Sequence, residues 1–258
     1  MKLPKGWHLA AMNALGSVQA GRQRSPHHIA GELRPYLRVA NVQDGWIDFR
    51  DVKEMLFTKK ESSIYELRSG DILLSEGQSL ELVGRPAIYR GEMPRCCFQN
   101  TLVRLRPERH HPDFVLYVCQ YLFGLGVFQR IAKKTTSIAH LGVSRFAEVT
   151  APIPPLLEQR KIADILSTWD KALTQLDALI EAQEHSKKAL MQQLLTGKKR
   201  FPGFKGKWKK VALGDVAENV ADTNKGRMGT TSLYGVTKAK GVVPMRDHVK
   251  GESFDRCK

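Results

Sequence analysis

Forty residues, Leu157 to Thr196, contain neither proline nor glycine. They follow the stiff Pro152-Ile153-Pro154-Pro155 hinge and stop before Gly197, a residue suited to cap a helix C-terminus. Within them, Ile162, Trp169, Leu176, Gln183 and Leu190 recur every seven residues, as do Leu166, Leu173, Ile180, Lys187 and Leu194. Eight of these ten positions are apolar, a pattern that predicts a coiled-coil seam. At 1.5 Å rise per residue the helix makes a rod of roughly 60 Å. Its apolar stripe needs a cover, either a second helix or the core of one large domain, and the sustained heptads favour the second helix.

The residues before the hinge read differently. Tyr36–Val42, Gly45–Phe49, Gly70–Gly77, Pro86–Arg90 and Thr101–Pro107 are short β-like runs, with Asp44-Gly45 as a hairpin signal between the first two. Helical patterning follows in Pro112–Ile131. The expected class is α+β, an irregular and mostly antiparallel sheet with helices. The expected organisation is one α+β domain over residues 1–155, a long helix over 156–197, and a linker with an incomplete domain start over 198–258.

Charge narrows the partner. The chain carries a formal net charge of +15 with 42% hydrophobic residues, which points to a folded protein with a polyanionic partner, nucleic acid before membrane. Its most apolar run, Phe114–Phe128, is too short to span a bilayer, and His8 and Asn13 interrupt any signal-peptide core, so a cytosolic location is expected. Cys96, Cys97, Cys119 and Cys257 lack CxxC spacing and read as reduced structural thiols rather than zinc ligands or a disulfide framework. The segment 185–210 holds nine Lys/Arg and no acid, a solvated linker or a phosphate-facing surface.

A repeat with an offset near 198 is visible. Ala14–Val18 (ALGSV) returns as Ala212–Val216 (ALGDV), each after a tryptophan, Trp7 and Trp208. Leu37–Lys53 parallels Tyr234–Lys250, with Gly45 matched to Gly241. The expected plan is therefore domain, long helix, and the same domain again, cut short.

Several motifs together resemble the DNA-specificity subunits of type I restriction–modification systems. They are PKGW (Pro4–Trp7), YLRVANVQDGWID (Tyr36–Asp48), GDILLSEG, VGRPAIY (Val83–Tyr89) and QNTLVRLRP (Gln99–Pro107). To these are added KKTTSIAHLGVSRF (Lys133–Phe146), PIPPLLEQRKIADILSTWD and LMQQLLTGKKRFPGF (Leu190–Phe204). The resemblance implies a target-recognition domain that reads one half of a bipartite double-stranded DNA site. It also implies a spacer helix that sets the half-site distance and docks adenine-methylating modification subunits. By the same resemblance, S-adenosylmethionine belongs to those modification subunits, and ATP and Mg to a restriction subunit, with no cofactor held by this chain.

The residues agree that catalysis lies elsewhere. The only Pro-Pro pair, Pro154-Pro155, is followed by leucine, not by the aromatic residue of an adenine methyltransferase, and no phosphate-cradling GxxxxGK[ST] exists. His27-His28 and His110-His111 are adjacent pairs, which rarely converge on one metal ion, so they are expected to be surface residues. DNA contact needs phosphate-binding and base-reading side chains. Three loops offer them: Arg22 and Arg24; Gln78 and Arg85; and Lys133, Lys134, Thr135, Thr136 and Ser137. Because the heptad stripe lacks a partner within the chain, a symmetric antiparallel homodimer is expected, with Gln183 and Lys187 fixing its register. A DNA-binding regulator with a coiled-coil dimeriser and an inert fragment are the rival readings.

Overall fold

The structure, a computed structural model, describes residues 3–25, 29–135, 137–218, 234–237 and 241–244. The chain divides into two units, residues 1–185 and 186–258.

In the first unit, β1 (His8–Ala11) leads through the short helix α1 (Met12–Leu15) into β2 (Gly16–Ala20). There follow β3 (Glu32–Leu37), β4 (Lys53–Phe57), α2 (Lys59–Tyr65), β5 (Ile72–Ser75), β6 (Gly77–Gln78), β7 (Pro86–Ile88), β8 (Cys97–Phe98) and β9 (Leu102–Pro107). Helices α3 (Pro112–Gly124) and α4 (Val127–Ile131), strands β10 (Lys133–Lys134) and β11 (Ala139–His140), helix α5 (Val143–Ala147) and strand β12 (Thr150–Ile153) precede the long helix α6 (Leu156–Leu195).

The central sheet has the order β2-β9-β5-β7, antiparallel throughout. β5 is buried along its whole length, so its run Ile72-Leu73-Leu74 serves both sheet faces. Ile72 and Leu74, with Val103 and Leu105 of β9, join a core under α3, α4 and α5. Leu73 and Leu102 face the other way, into a second core with Leu37, Val42, Ile47 and Phe98. A smaller sheet, β4-β3-β8, lies beyond that core and contains the one parallel pairing among the described strands, Tyr36 with Cys97. The mostly antiparallel α+β expectation holds.

Three local expectations shift: the β-like run Gly45–Phe49 forms no regular strand, only isolated bridges from Gly45 to Ala87 and from Ile47 to Val42. The strand expected over Tyr36–Val42 ends at Leu37 and gives way to a tight helical turn, Val39–Asn41. The helix expected over Pro112–Ile131 breaks at Gly126, whose φ of 71° departs from helix, leaving α3 and α4 as separate pieces. The Asp44-Gly45 turn forms as read: Val42 bridges Ile47 and Gly45 takes φ 81°.

Charge is handled inside the sheet by one strong pair. Asp71, 1% exposed, accepts from Nε and Nη2 of Arg106, both at 2.7 Å, and from the Arg68 N–H at 2.8 Å. Neighbouring Arg104 is 4% exposed and bonds only neutral oxygens, the Ile64 carbonyl at 3.1 Å and Gln19 Oε1 at 2.7 Å. Burial pulls its pKa down to about 10.

In the second unit, the helix end is capped by Gly197 in left-handed backbone, with its N–H on the Leu194 carbonyl at 3.2 Å. The described remainder contains a helical turn at Leu213–Asp215 and a hairpin of β13 (Tyr234–Thr237) with β14 (Gly241–Pro244). Both features echo the repeat: ALGSV and ALGDV each contain a short helical turn, and Gly45 and Gly241 both take positive φ. The burial does not echo. Leu15 is 0% exposed and its counterpart Leu213 is 80% exposed, while Gly16 meets the Arg106 backbone and Gly214 meets nothing within 4 Å.

Candidate nucleic-acid interface

Two of the three candidate loops come together. β10, β11 and β6 form a small antiparallel sheet, in which Lys133 pairs with His140, Lys134 with Ala139, and Ala139 with Gln78. Lys133–His140 is thus a hairpin, laid beside the turn that starts at Gln78. Its tip is closed by Thr135, whose N–H and Oγ1 both donate to the Ile138 carbonyl at 2.9 Å. Its base is anchored by Ala139 and Leu141, 1% and 0% exposed. Arg145 Nη2 holds the His140 carbonyl at 2.8 Å, and Glu76 holds His140 Nδ1 at 3.0 Å. A projecting hairpin on a rigid footing results.

Lys133, Lys134, Thr135 and Ser137 are exposed on it. Among the described residues neither lysine has a carboxylate partner, so their charge is available to an external anion. Thr136 lies outside the described residues. Ile138, 45% exposed at the tip, is an apolar side chain that residue-by-residue reading for polar groups passed over. Its signal was an isoleucine set among hydroxyls and lysines in a turn.

The other candidates are corrected by their contacts. Arg85 turns inward and donates to the Val42 carbonyl, clasping the loop before the Asp44-Gly45 turn. Gln78 half-spends its amide, since Oε1 accepts from the Ser79 N–H at 3.1 Å. Arg22 is 4% exposed: Nε donates to Glu61 at 2.6 Å, Nη1 to the Leu56 carbonyl at 2.7 Å, and the guanidinium lies over Phe57 at 4.8 Å. It is a structural arginine. Two residues on, Arg24 faces solvent beside a cleft of about 510 Å³ lined also by Ser25, Leu33, Glu54 and Met55. His27 and His28 lie outside the described residues. His110, expected on the surface, is half-buried and bonds Gln159.

The long helix has two faces. Near its start, Gln159 and Ala163 are 1% exposed and Ile162 packs on the domain core. Ile162 is therefore partly covered by its own domain, unlike the rest of the stripe. Farther along, Trp169, Leu173, Leu176 and Ile180 are 66%, 58%, 53% and 52% exposed, and Leu166 and Leu190 are 38% and 45% exposed. Ile165 and Leu179, also exposed, widen the stripe. Leu194 is half-buried and lines an apolar cavity of about 440 Å³ with Leu195, Phe201, Phe204 and Trp208. No helix of the described residues is long and apolar enough to cross a membrane, and no cluster of metal-ligating side chains occurs among them.

The comparisons with known proteins fit this geometry. The chain is 31% identical over 199 residues to the type I restriction enzyme MjaVIII specificity subunit of Methanocaldococcus jannaschii, covering 76% of this chain and 43% of that relative. It is 27% identical over 211 residues to the type I restriction enzyme EcoKI specificity subunit of Escherichia coli, covering 78% of this chain and 41% of that one. The chain thus spans less than half the length of these curated relatives. The solved HsdS subunit from Thermoanaerobacter tengcongensis has the same fold, with a TM-score of 0.54 at 19% identity over 80% of this chain and 52% of that structure. The family described as type I restriction modification DNA specificity domain matches residues 27–183, and the chain belongs to that family.

Proposed function

We propose that this chain is a non-catalytic subunit that reads one half of a bipartite double-stranded DNA site and docks adenine-methylating modification subunits. One observation carries the reading: a hairpin bearing exposed Lys133 and Lys134 with Thr135 and Ser137 stands on a buried base. Lysines and hydroxyls would supply phosphate contacts, and Gln78 and Ile138, on the same small sheet and its tip, would read base edges. Arg24 adds a second basic point on the same unit. S-adenosylmethionine is assigned to the modification subunits and ATP and Mg to a restriction subunit, so the complex works in the cytoplasm where its DNA is.

The exposed stripe of α6 is the docking spine, and a second copy of the chain is its first partner. The helix supports this through its register. A twofold at Ala178 pairs Leu176 with Ile180, Leu173 with Gln183 and Leu166 with Leu190 of the second copy. It also places Lys187 of the second copy at Trp169, a cation–aromatic pair.

Selection of random duplexes by the purified chain tests the recognition reading. Enrichment of one short motif that the Lys133→Ala variant binds less tightly supports it. Retention of DNA without any enriched sequence overturns it. The exposed Leu213, Val236 and Val242 favour one rival, a fragment prone to association through its second unit. Light scattering separates the two, since the proposed dimer has a defined mass near twice 29.1 kDa and a sticky fragment has none.

A further inference from the structure

Where the long helix leaves the recognition domain, one side chain is bonded on every polar atom. Gln159 is 1% exposed, a burial that an uncharged amide tolerates only when satisfied. Oε1 accepts from the His111 N–H at 3.1 Å. Nε2 donates to the Pro154 carbonyl at 2.9 Å and to His110 Nδ1 at 3.0 Å. The backbone partners fix the amide orientation, because an N–H must face oxygen and a carbonyl must face nitrogen. His110 then presents Nδ1 as an acceptor. Three segments meet at this one group: the turn before α3, the end of β12 and the first turn of α6.

A second attachment lies eleven residues on, three turns up the same face of the helix. Tyr117 of α3 donates its hydroxyl to Asp170 at 2.6 Å. Burial, then the nearby Asp170 carboxylate, raises the Tyr117 pKa, so it remains a donor throughout the working range. Between the two points Ile162 and Ala163 pack into the core. A rigid rod held at two points has a fixed direction; held at one it can swing.

We propose that Gln159, with Tyr117 and Asp170 as its distal support, is the positioning group that fixes the helix direction and thereby the spacing between DNA half-sites. This rests on the DNA-recognition reading above. The lever is long: Gln159 to Leu195 is thirty-six residues, about 54 Å. A tilt of about 10° would move the far end by about 9 Å, nearly three base pairs at 3.4 Å each. The half-site bases would be unaffected, since none of these groups lies on the hairpin.

The test uses two variants: Gln159→Met, which keeps length and removes all three bonds, and Tyr117→Phe, which removes one hydroxyl and keeps the ring. The second preserves a folded probe if the first does not fold. With the modification subunit, methylation is measured on duplexes whose half-sites are separated by one base pair more or fewer than the preferred spacing. Discrimination should fall from more than about tenfold to less than about threefold, with the same half-site bases required. Independently, spin labels at Ser63→Cys on α2 and Glu181→Cys on α6, in a Cys257→Ser chain, report the domain–helix distance. A narrow distribution that broadens in both variants supports the joint. An unchanged distribution, or unchanged spacing discrimination in a folded variant, overturns the inference. Absence of any gapped-site methylation by the wild-type complex instead refutes the DNA reading, while the label distances still decide the joint.

Discussion

Replacing Lys133 and Lys134 together by alanine separates a phosphate-gripping hairpin from a merely basic surface. Both side chains are exposed, and the strand pairing that holds them is made by backbone, so stability should change by no more than about 0.5 kcal/mol. Each lysine on a phosphate adds about 0.9 to the slope of log affinity against log salt. Two lysines therefore remove about 1.8 from that slope. At 0.1 M salt, one decade below the 1 M reference, that amounts to about a sixtyfold loss of affinity. The loss should be the same on specific and scrambled duplexes, because phosphates carry no sequence. Fluorescence anisotropy of labelled duplexes over a salt series measures both quantities. An unchanged slope, or a loss confined to one sequence, refutes the assignment. Arg22→Ala is the contrasting control: it leaves Glu61 Oε1 and the Leu56 carbonyl without the guanidinium, while Thr58 still bonds Glu61 Oε2. It should cost about 2–3 kcal/mol of stability, Glu61 being partly solvated, with the salt slope intact.

Other outcomes follow from packing and burial. Asp71→Ala leaves the Arg106 guanidinium with only the Glu66 carbonyl and should cost about 3 kcal/mol, read as a lowered midpoint in urea. Gly16→Ala places a Cβ 1.9 Å from the Arg106 carbonyl oxygen, so the first unit should not fold natively, seen as loss of dispersed amide resonances. Leu176→Asp with Ile180→Asp should convert a dimer to a monomer by light scattering while leaving helical circular dichroism of the domain in place. Cys96, Cys97 and Cys119 have pKa values pushed to about 12 by burial. At pH 8 only about one in ten thousand of each is thiolate, so thiol reagents should modify them only on unfolding; prompt reaction in the native state contradicts the fold.

Much of the architecture is written locally. Ile72-Leu73-Leu74 between Gly70 and Gly77 reads as a strand buried on both faces, because no polar alternation interrupts it. The Asp44-Gly45 turn and the long proline-free helix are equally direct, since each depends on backbone chemistry at its own residues. What failed was the direction of long side chains. Arg22 and Arg24 sit two apart, yet one is buried and one exposed because Glu61 arrives from α2, thirty-nine residues away. Arg85 likewise has the residue type that reads guanine, but its partner is the carbonyl of Val42, forty-three residues away. Heptad arithmetic gave the stripe but assigned Ile162 to it, as periodicity cannot say which neighbour covers a residue first. Gln159 was legible only as a polar residue in the first turn; its role needs His110, His111 and Pro154 in place together.

The most direct measurement is a methylome. The chain is coexpressed with a type I modification subunit in a host lacking other adenine methyltransferases, and N6-methyladenine is mapped genome-wide. A half-subunit that pairs antiparallel through α6 predicts a single gapped motif whose two halves are inverted copies of each other. No new methylation, beside a full-length specificity subunit that activates the same modification subunit, would contradict the account.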